Sequence, residues 1–198
     1  FEELEKAALK LGYPEKDIVF KPPEGKGARG VRVMTEKSDR YDLLFNGRPF
    51  AKFISMDELK NTVSEKEIPE LMIMEYLEGD ELKIDPVVNN GKMLVCSVKL
   101  RMNFASGLGM NYEFIEDNMA IKYAKNVMEY LPMDYCVDIS TRGGVLMEIN
   151  PRVSTYIYSD TYCPPYFALK LAMGEMGEDE IQKYQKNIPI GKRLFRYS

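Results

Sequence analysis

Asn89-Asn90-Gly91 stands between two apolar runs, Leu82 to Val88 and Met93 to Leu100. Asn and Gly tolerate the positive φ of a tight reversal, so this tripeptide predicts a hairpin and commits both flanking runs to neighbouring antiparallel strands. A second signal, Arg142-Gly143-Gly144, separates Tyr135–Ser140 from Val145–Ile149 and predicts another hairpin. Helices and further strands alternate irregularly around these two reversals. The pattern indicates an α+β protein with mostly antiparallel sheets.

The helices announce themselves by spacing and caps. Phe1, Leu4, Ala8 and Leu11 recur at helical intervals, and Gly12 with Pro14 supplies the stop. Ile18-Val19-Phe20 reads as a strand, Lys21 to Gly30 as a loop rich in Gly and Pro, and Val31 to Met34 as the next strand. Ser55-Met56-Asp57-Glu58 has the spacing of a capping box and predicts a helix through Leu59 and Val63. Leu71 to Leu77 is an apolar run containing a strand. After a Gly-containing loop at Ser106 to Met110, Asp117 or Asn118 should cap a helix that Pro132 ends; Pro165 to Met173 should form another, stopped by Gly174.

Composition excludes several chemistries. The 198 residues contain no histidine. A Ser-His-Asp triad, a His-ligated zinc or haem, and a histidine pH switch are therefore closed to it. Twenty-seven Lys and Arg oppose 31 Asp and Glu, and the net charge of −4 argues against a nucleic-acid surface. No run is long enough for a membrane helix. Cys96, Cys136 and Cys163 are widely spaced with no CxxC among them, which reads as reduced thiols in a cytoplasmic protein. The chain opens on Phe1 inside an apparent helix, so a segment of a longer protein is expected.

Three constellations carry chemistry. In the first, Gly25, Gly27 and Gly30 free backbone N–H groups to converge on an anion, with Lys21, Lys26, Arg29 and Arg32 nearby. The segment reads either as a polyphosphate loop or as an ordinary connection between strands. It is not a Walker A motif, because no GK[ST] follows. In the second, Met147-Glu148-Ile149-Asn150-Pro151-Arg152, alternation should turn Val145, Met147 and Ile149 to an apolar back and Glu148 and Asn150 to the other face. Asp138 on the partner strand would complete three oxygen ligands suited to Mg²⁺; a solvated polar face is the alternative. In the third, Met74 to Glu81, an apolar strand runs into an acidic turn. It could meet a flat base and a sugar, or be an acidic surface turn.

In this order the three constellations resemble the ATP-grasp superfamily, in particular its carbamoyl-phosphate-synthase-like carboxylate-amine ligases. IVFKPPEGKGARGV (18–31) is similar to that family's strand, lysine and flexible glycine loop; MEYLEGDELKID (74–85) to its adenine hinge and ribose-binding acid; Asp138 with MEINPRVS (147–154) to its metal strand pair; and Lys170 to Gly174 to its usual helix end. The resemblance implies two lobes, 1–72 with the glycine loop and 73–198 with the hinge and metal strands, holding the nucleotide between them, and a preceding domain absent from this chain. It implies that Lys21 contacts ATP phosphates and that Gly25, Lys26, Gly27, Ala28 and Gly30 close over them. Glu75, Tyr76 and Leu77 would meet adenine and Glu81 the ribose. Asp138, Glu148 and Asn150 would hold Mg²⁺, with Mn²⁺ as a substitute, and Arg152 and Arg101 would serve the reacting groups. The implied activity is ATP-dependent joining of a small-molecule carboxylate to an amine through an acyl-phosphate. The alternative is a nucleotide-binding module of the same family without ligase turnover.

Overall fold

The computed structural model describes residues 1–24, 30–37, 52–63, 68–105, 108–155 and 157–195, with the backbone alone at 103–105 and 108–110. The chain divides into two compact units, one built on Phe1–Leu77 and the other on Glu78–Ala105 and Gly109–Ser198.

The first unit comprises α1 (Glu2–Lys10), β1 (Ile18–Lys21), β2 (Arg32–Met34), β3 (Phe53–Ile54), α2 (Met56–Val63) and β4 (Met72–Glu75). Its sheet has the order β3-β2-β1-β4, with β1 antiparallel to β2 and β4 and β3 parallel to β2. Leu4 and Ala8, one turn apart on α1, are buried with Ile18, Phe20, Met34 and Leu59, so α1 and α2 share one core with the sheet. The capping box forms as its spacing predicts. The Ser55 N–H donates to Glu58 Oε2 at 3.1 Å and the Glu58 N–H to Ser55 Oγ at 3.2 Å.

The second unit comprises β5 (Glu81–Asn89), β6 (Lys92–Ala105), β7 (Leu108–Ile115), α3 (Asn118–Tyr130), β8 (Tyr135–Cys136), β9 (Asp138–Arg142), β10 (Val145–Asn150), α4 (Pro164–Ala172), α5 (Glu178–Gln182), a 3₁₀ turn (Lys183–Asn187) and β11 (Arg193–Phe195). Among the described residues its sheet runs β10-β9-β5-β6-β7-β11, with β8 also on β5. Both hairpins close where their turn residues predict, with positive φ at Asn90 (47°), Gly91 (77°), Gly143 (55°) and Gly144 (81°). Asp117 caps α3 by accepting from the Ala120 N–H at 2.9 Å.

β5 sits centrally and its two faces differ. Ile84 and Val88 face α3, packing with Val98, Ala124, Met128 and Ile139. On the opposite face Val87 joins Val95, Tyr162 and Phe167 under α4. Farther along that second face, away from the hairpin, stand Glu81, Lys83 and Asp85. Pro86, which has no N–H to give, lies where β5 passes from pairing with β9 to pairing with β8, and its carbonyl accepts from the Val137 N–H at 3.2 Å.

Three local expectations change. Leu108–Met110, read as loop, begins β7, while 106–107 lie outside the described residues; β7 pairs with β11, a partner far away in sequence. The run Tyr135–Ser140 splits into β8 and β9, with Tyr135 at φ 66°. The apolar back of β10 does not form, because the register with β9 shifts between Leu146 and Glu148. A bulge breaks strict alternation, and on this edge strand Val145 and Met147 are exposed while Ile149 packs against the α3-side core.

Candidate functional site

Alternation along four adjacent strands gathers a row of charged side chains on one face of the second sheet. β5 contributes Glu81, Lys83 and Asp85; β6 Lys99 and Arg101; β9 Asp138, Ser140 and Arg142; β10 Glu148 and Asn150. At one end Glu81, buried, pairs with Arg101 on β6 through Oε1 and lies 3.9 Å from Arg142 on β9 through Oε2. At the other, Asp85 meets Lys99 at 2.9 Å.

The expected metal strands occupy the middle. Asn150 stands directly opposite Asp138, and Glu148 directly opposite Ser140. Arg152 follows in a tight turn in which its N–H donates to the Asn150 carbonyl at 2.8 Å, and its guanidinium Nη1 lies 3.3 Å from Asp138 Oδ2. Lys83 reaches into this group from β5. Its ammonium donates to Ser140 and lies 3.2 Å from Glu148 Oε1 and 3.3 Å from Asp138 Oδ1. Burial alone would depress the Lys83 ammonium, but the two carboxylates outweigh it and hold its pKa above the ordinary value. Burial would likewise raise Glu148, yet the charge and hydrogen bond of Lys83, with that of Ser140, hold it below the ordinary carboxylate range.

These groups fit a hard divalent cation. Asn150 Nδ2 is buried without a hydrogen-bond partner as it stands, and the amide can present its oxygen instead. Among the described residues no three Asp, Glu or Cys side chains are grouped so as to hold a metal ion by themselves. Two carboxylates and an amide leave coordination positions for phosphate and water, which is how Mg²⁺ is usually held.

The remaining expected site residues belong to the first unit or border it. Lys21 ends β1, half-buried and opposite Met72 on β4. Gly30 has φ +76°, and a Cβ there would stand 2.7 Å from Pro22 Cδ. Gly25, Lys26, Gly27 and Ala28 lie outside the described residues. Glu75 ends β4 opposite Ile18 and is exposed; Tyr76 and Leu77 follow, half-buried. In the second unit the acidic turn is latched to the β9–β10 turn. The Gly143 N–H donates to the Asp80 carbonyl at 3.1 Å, and a Cβ on Gly143 would stand 2.3 Å from the Glu78 carbonyl oxygen.

The structure thus brings Asp138, Glu148, Asn150 and Arg152 together, and Glu81 with Arg101. Sequence reasoning missed Lys83, Ser140, Lys99 and Asp85. For Lys83 and Asp85 the signal was the alternation Glu81-Leu82-Lys83-Ile84-Asp85, an amphipathic strand whose polar face is charged throughout.

Residues 67–192 match the model of a family described as ATP-grasp in the biosynthetic pathway with Ter operon. The chain belongs to this ATP-grasp family. The match spans Glu75–Leu77, all of β5 to β10 and α4, and leaves Lys21 outside it. The solved structures agree on the ATP-grasp fold. The biotin carboxylase domain of Hydrogenobacter thermophilus 2-oxoglutarate carboxylase, complexed with MgADP, ADP and bicarbonate, is 14% identical with TM-score 0.59 over 97% of this chain and 42% of that one. An N5-carboxyaminoimidazole ribonucleotide synthetase in complex with ADP is 14% identical with TM-score 0.56, covering 98% of this chain and 47% of that one. The Staphylococcus aureus N5-carboxyaminoimidazole synthetase with ADP is 12% identical with TM-score 0.56, covering 89% and 46%. The ATP-grasp chain spans less than half the length of these structures. No curated protein matches it by sequence. Among its described residues no helix is long and apolar enough to cross a membrane.

Proposed function

We propose that the chain is the nucleotide- and metal-binding core of an ATP-dependent carboxylate-amine ligase of the carbamoyl-phosphate-synthase-like type. The observation that carries this reading is the set of facing pairs Asp138/Asn150 and Ser140/Glu148, with Arg152 against Asp138, on adjacent strands of an ATP-grasp sheet. The ADP and MgADP complexes of structures with the same fold support it.

In the first step an oxygen of the substrate carboxylate bonds to the γ-phosphorus while the bond to the β,γ-bridging oxygen breaks, giving an acyl-phosphate and ADP. An amine nitrogen then bonds to the acyl carbon, loses a proton, and phosphate leaves. Neither step requires a side-chain nucleophile, so the absence of histidine costs nothing; positioning and charge neutralisation are the protein's contribution. When bound, Mg²⁺ or Mn²⁺ would be held by Asp138, Glu148 and Asn150 and would offset phosphate charge.

Arg152 is assigned to the transferred phosphoryl group and Arg101 to the substrate. Lys21, Gly25, Lys26, Gly27, Ala28 and Gly30 are assigned to the ATP phosphates, Glu75, Tyr76 and Leu77 to adenine, and Glu81, oriented by Arg101 and Arg142, to the ribose. The free cysteines fit a reducing, cytoplasmic setting.

The test is ADP release from Mg-ATP by the full-length protein across a panel of carboxylic acids with amines. The double variant Glu148→Ala/Asn150→Ala should lower turnover by about 100-fold or more, since metal-assisted charge stabilisation is worth several kcal/mol. Unchanged turnover would overturn the metal assignment. Tight Mg-ATP binding without ADP release over the whole panel would favour the nucleotide-binding module instead.

A further inference from the structure

The charged face of the second sheet holds a cation to which the steps above give no task. Lys83 lies on β5, directly opposite Ser140 on β9, and Ser140 is in turn opposite Glu148 on β10. The lysine side chain therefore runs across the middle strand toward the third. Its ammonium ends between the two acids, 3.3 Å from Asp138 Oδ1 and 3.2 Å from Glu148 Oε1, and is anchored there by its hydrogen bond to the Ser140 hydroxyl.

Exposure distinguishes the two carboxylates. The side chains of Lys83 and Asp138 are 11% and 2% exposed, whereas that of Glu148 is 54% exposed. Both oxygens of Asp138 already face side-chain cations, Oδ1 toward Lys83 and Oδ2 toward Arg152 at 3.3 Å. Glu148 meets Lys83 through Oε1 only, and the Asn150 amide, whose nitrogen is buried without a hydrogen-bond partner, can turn its oxygen to the site instead. The donors left to take a metal are thus on the β10 side.

We propose that Lys83 is a built-in cation of this site: its ammonium takes the place between Asp138 and Glu148, and the protein binds one divalent ion rather than two, with Glu148 and Asn150 as its side-chain ligands and Asp138 kept from it by Lys83 and Arg152, a narrower set than the three residues named under Proposed function. The proposal rests on the metal reading given under Proposed function. Separations of 3.2 and 3.3 Å suit an ammonium between carboxylates, while Mg²⁺ takes its oxygens at about 2.0–2.1 Å. A second divalent ion in the same place would have to expel a nearly buried ammonium from its hydroxyl anchor or share the acids with it against like-charge repulsion.

The test counts bound ions. Equilibrium dialysis of the full-length protein against Mn²⁺ with saturating ADP, corrected for ADP alone, should give one Mn²⁺ per chain for the native protein and for Lys83→Arg, and two for Lys83→Met. Two ions in the native protein would overturn the proposal and leave the metal reading standing. A single ion in a Lys83→Met variant with native circular dichroism would overturn it as well. If Lys83→Met fails to fold, the native and Lys83→Arg counts decide: one ion in each supports the proposal and two in either overturns it. No Mn²⁺ on the native protein would overturn the metal reading itself, and this inference with it.

Discussion

Lys99 on β6 reaches diagonally to Asp85 on β5 at 2.9 Å, and neither side chain is exposed to solvent. Burial pushes the Asp85 carboxyl up against the opposing pull of Lys99. The same ammonium donates to the Thr155 carbonyl at 2.7 Å and lies 5.4 Å from the centre of the Tyr112 ring. Lys99 thereby ties the segment following Arg152 to the centre of the sheet.

Removing one member leaves the other charged and buried. Lys99→Met or Asp85→Leu should each destabilise the protein by about 3–5 kcal/mol, and Lys99→Met/Asp85→Leu should recover much of that loss, because an apolar pair needs no desolvation of charge. Urea denaturation of the two single variants and the double variant forms the required cycle. Additive losses would show that the two groups do not act as a pair.

Glu148 and Lys83 give the site opposite pH signatures. The folded-state pKa of Glu148 lies below its ordinary 4.5, so its contribution to stability is present above 4.5 and is lost as pH falls through the folded value. The pKa of Lys83 is raised above 10.5, so its contribution is present below 10.5 and is lost as pH rises through the folded value. The difference in Tm between the native protein and Glu148→Gln should therefore be constant near neutrality and shift against the native protein as the pH drops below 4.5. Thermal melts between pH 3 and 8 check the sign, and a difference independent of pH would contradict it.

The neighbouring turn glycines are not equivalent. Gly143 has φ +55°, and an added Cβ would meet the Glu78 carbonyl oxygen at 2.3 Å, whereas Gly144 has φ +81° and nothing within 4 Å. Gly144→Ala should cost about 1–2 kcal/mol, the penalty for a left-handed non-glycine residue. Gly143→Ala should cost more, because backbone must also move. Comparing denaturation midpoints decides this; equal losses would show that the contact with the acidic turn is not maintained.

Cysteine labelling reports on both cores of the second unit, since Cys96 packs on the α3 side and Cys136 under α4. Cys96 and Cys136 are buried, and burial raises both thiols, Cys136 to about 11. Cys163 is intermediate in exposure. Iodoacetamide at pH 8 should modify Cys163 first and reach the other two on denaturation, as peptide mass spectrometry would record. Equal rates in the native state would indicate that both cores open readily.

Features set by near neighbours in the chain were legible in the sequence. The Asn89–Gly91 and Gly143-Gly144 turns, the Ser55/Glu58 capping box and the Asp117 cap each depend on a few adjacent residues, so their residue types announce them. The candidate site was legible to the same extent: Glu148, Asn150 and Arg152 share one strand and its exit, and Asp138 lies across a short hairpin. What the sequence could not express were relations between distant segments. Lys83 meets its acids because β9 lies between β5 and β10, Gln185 takes a strand's place by bonding the Cys96 backbone N–H and carbonyl at 2.8 and 3.0 Å, and β7 finds its outer partner in β11. The shifted register between Leu146 and Glu148 is of the same kind, since a bulge arises from the pairing of two strands and overrides the alternation that either would show alone. Sequence by itself therefore determined the two hairpins with their turns and the oxygen-bearing side chains of β9 and β10; tertiary structure decided which cation stands among them, because only the order of strands in the sheet brings Lys83 to that place.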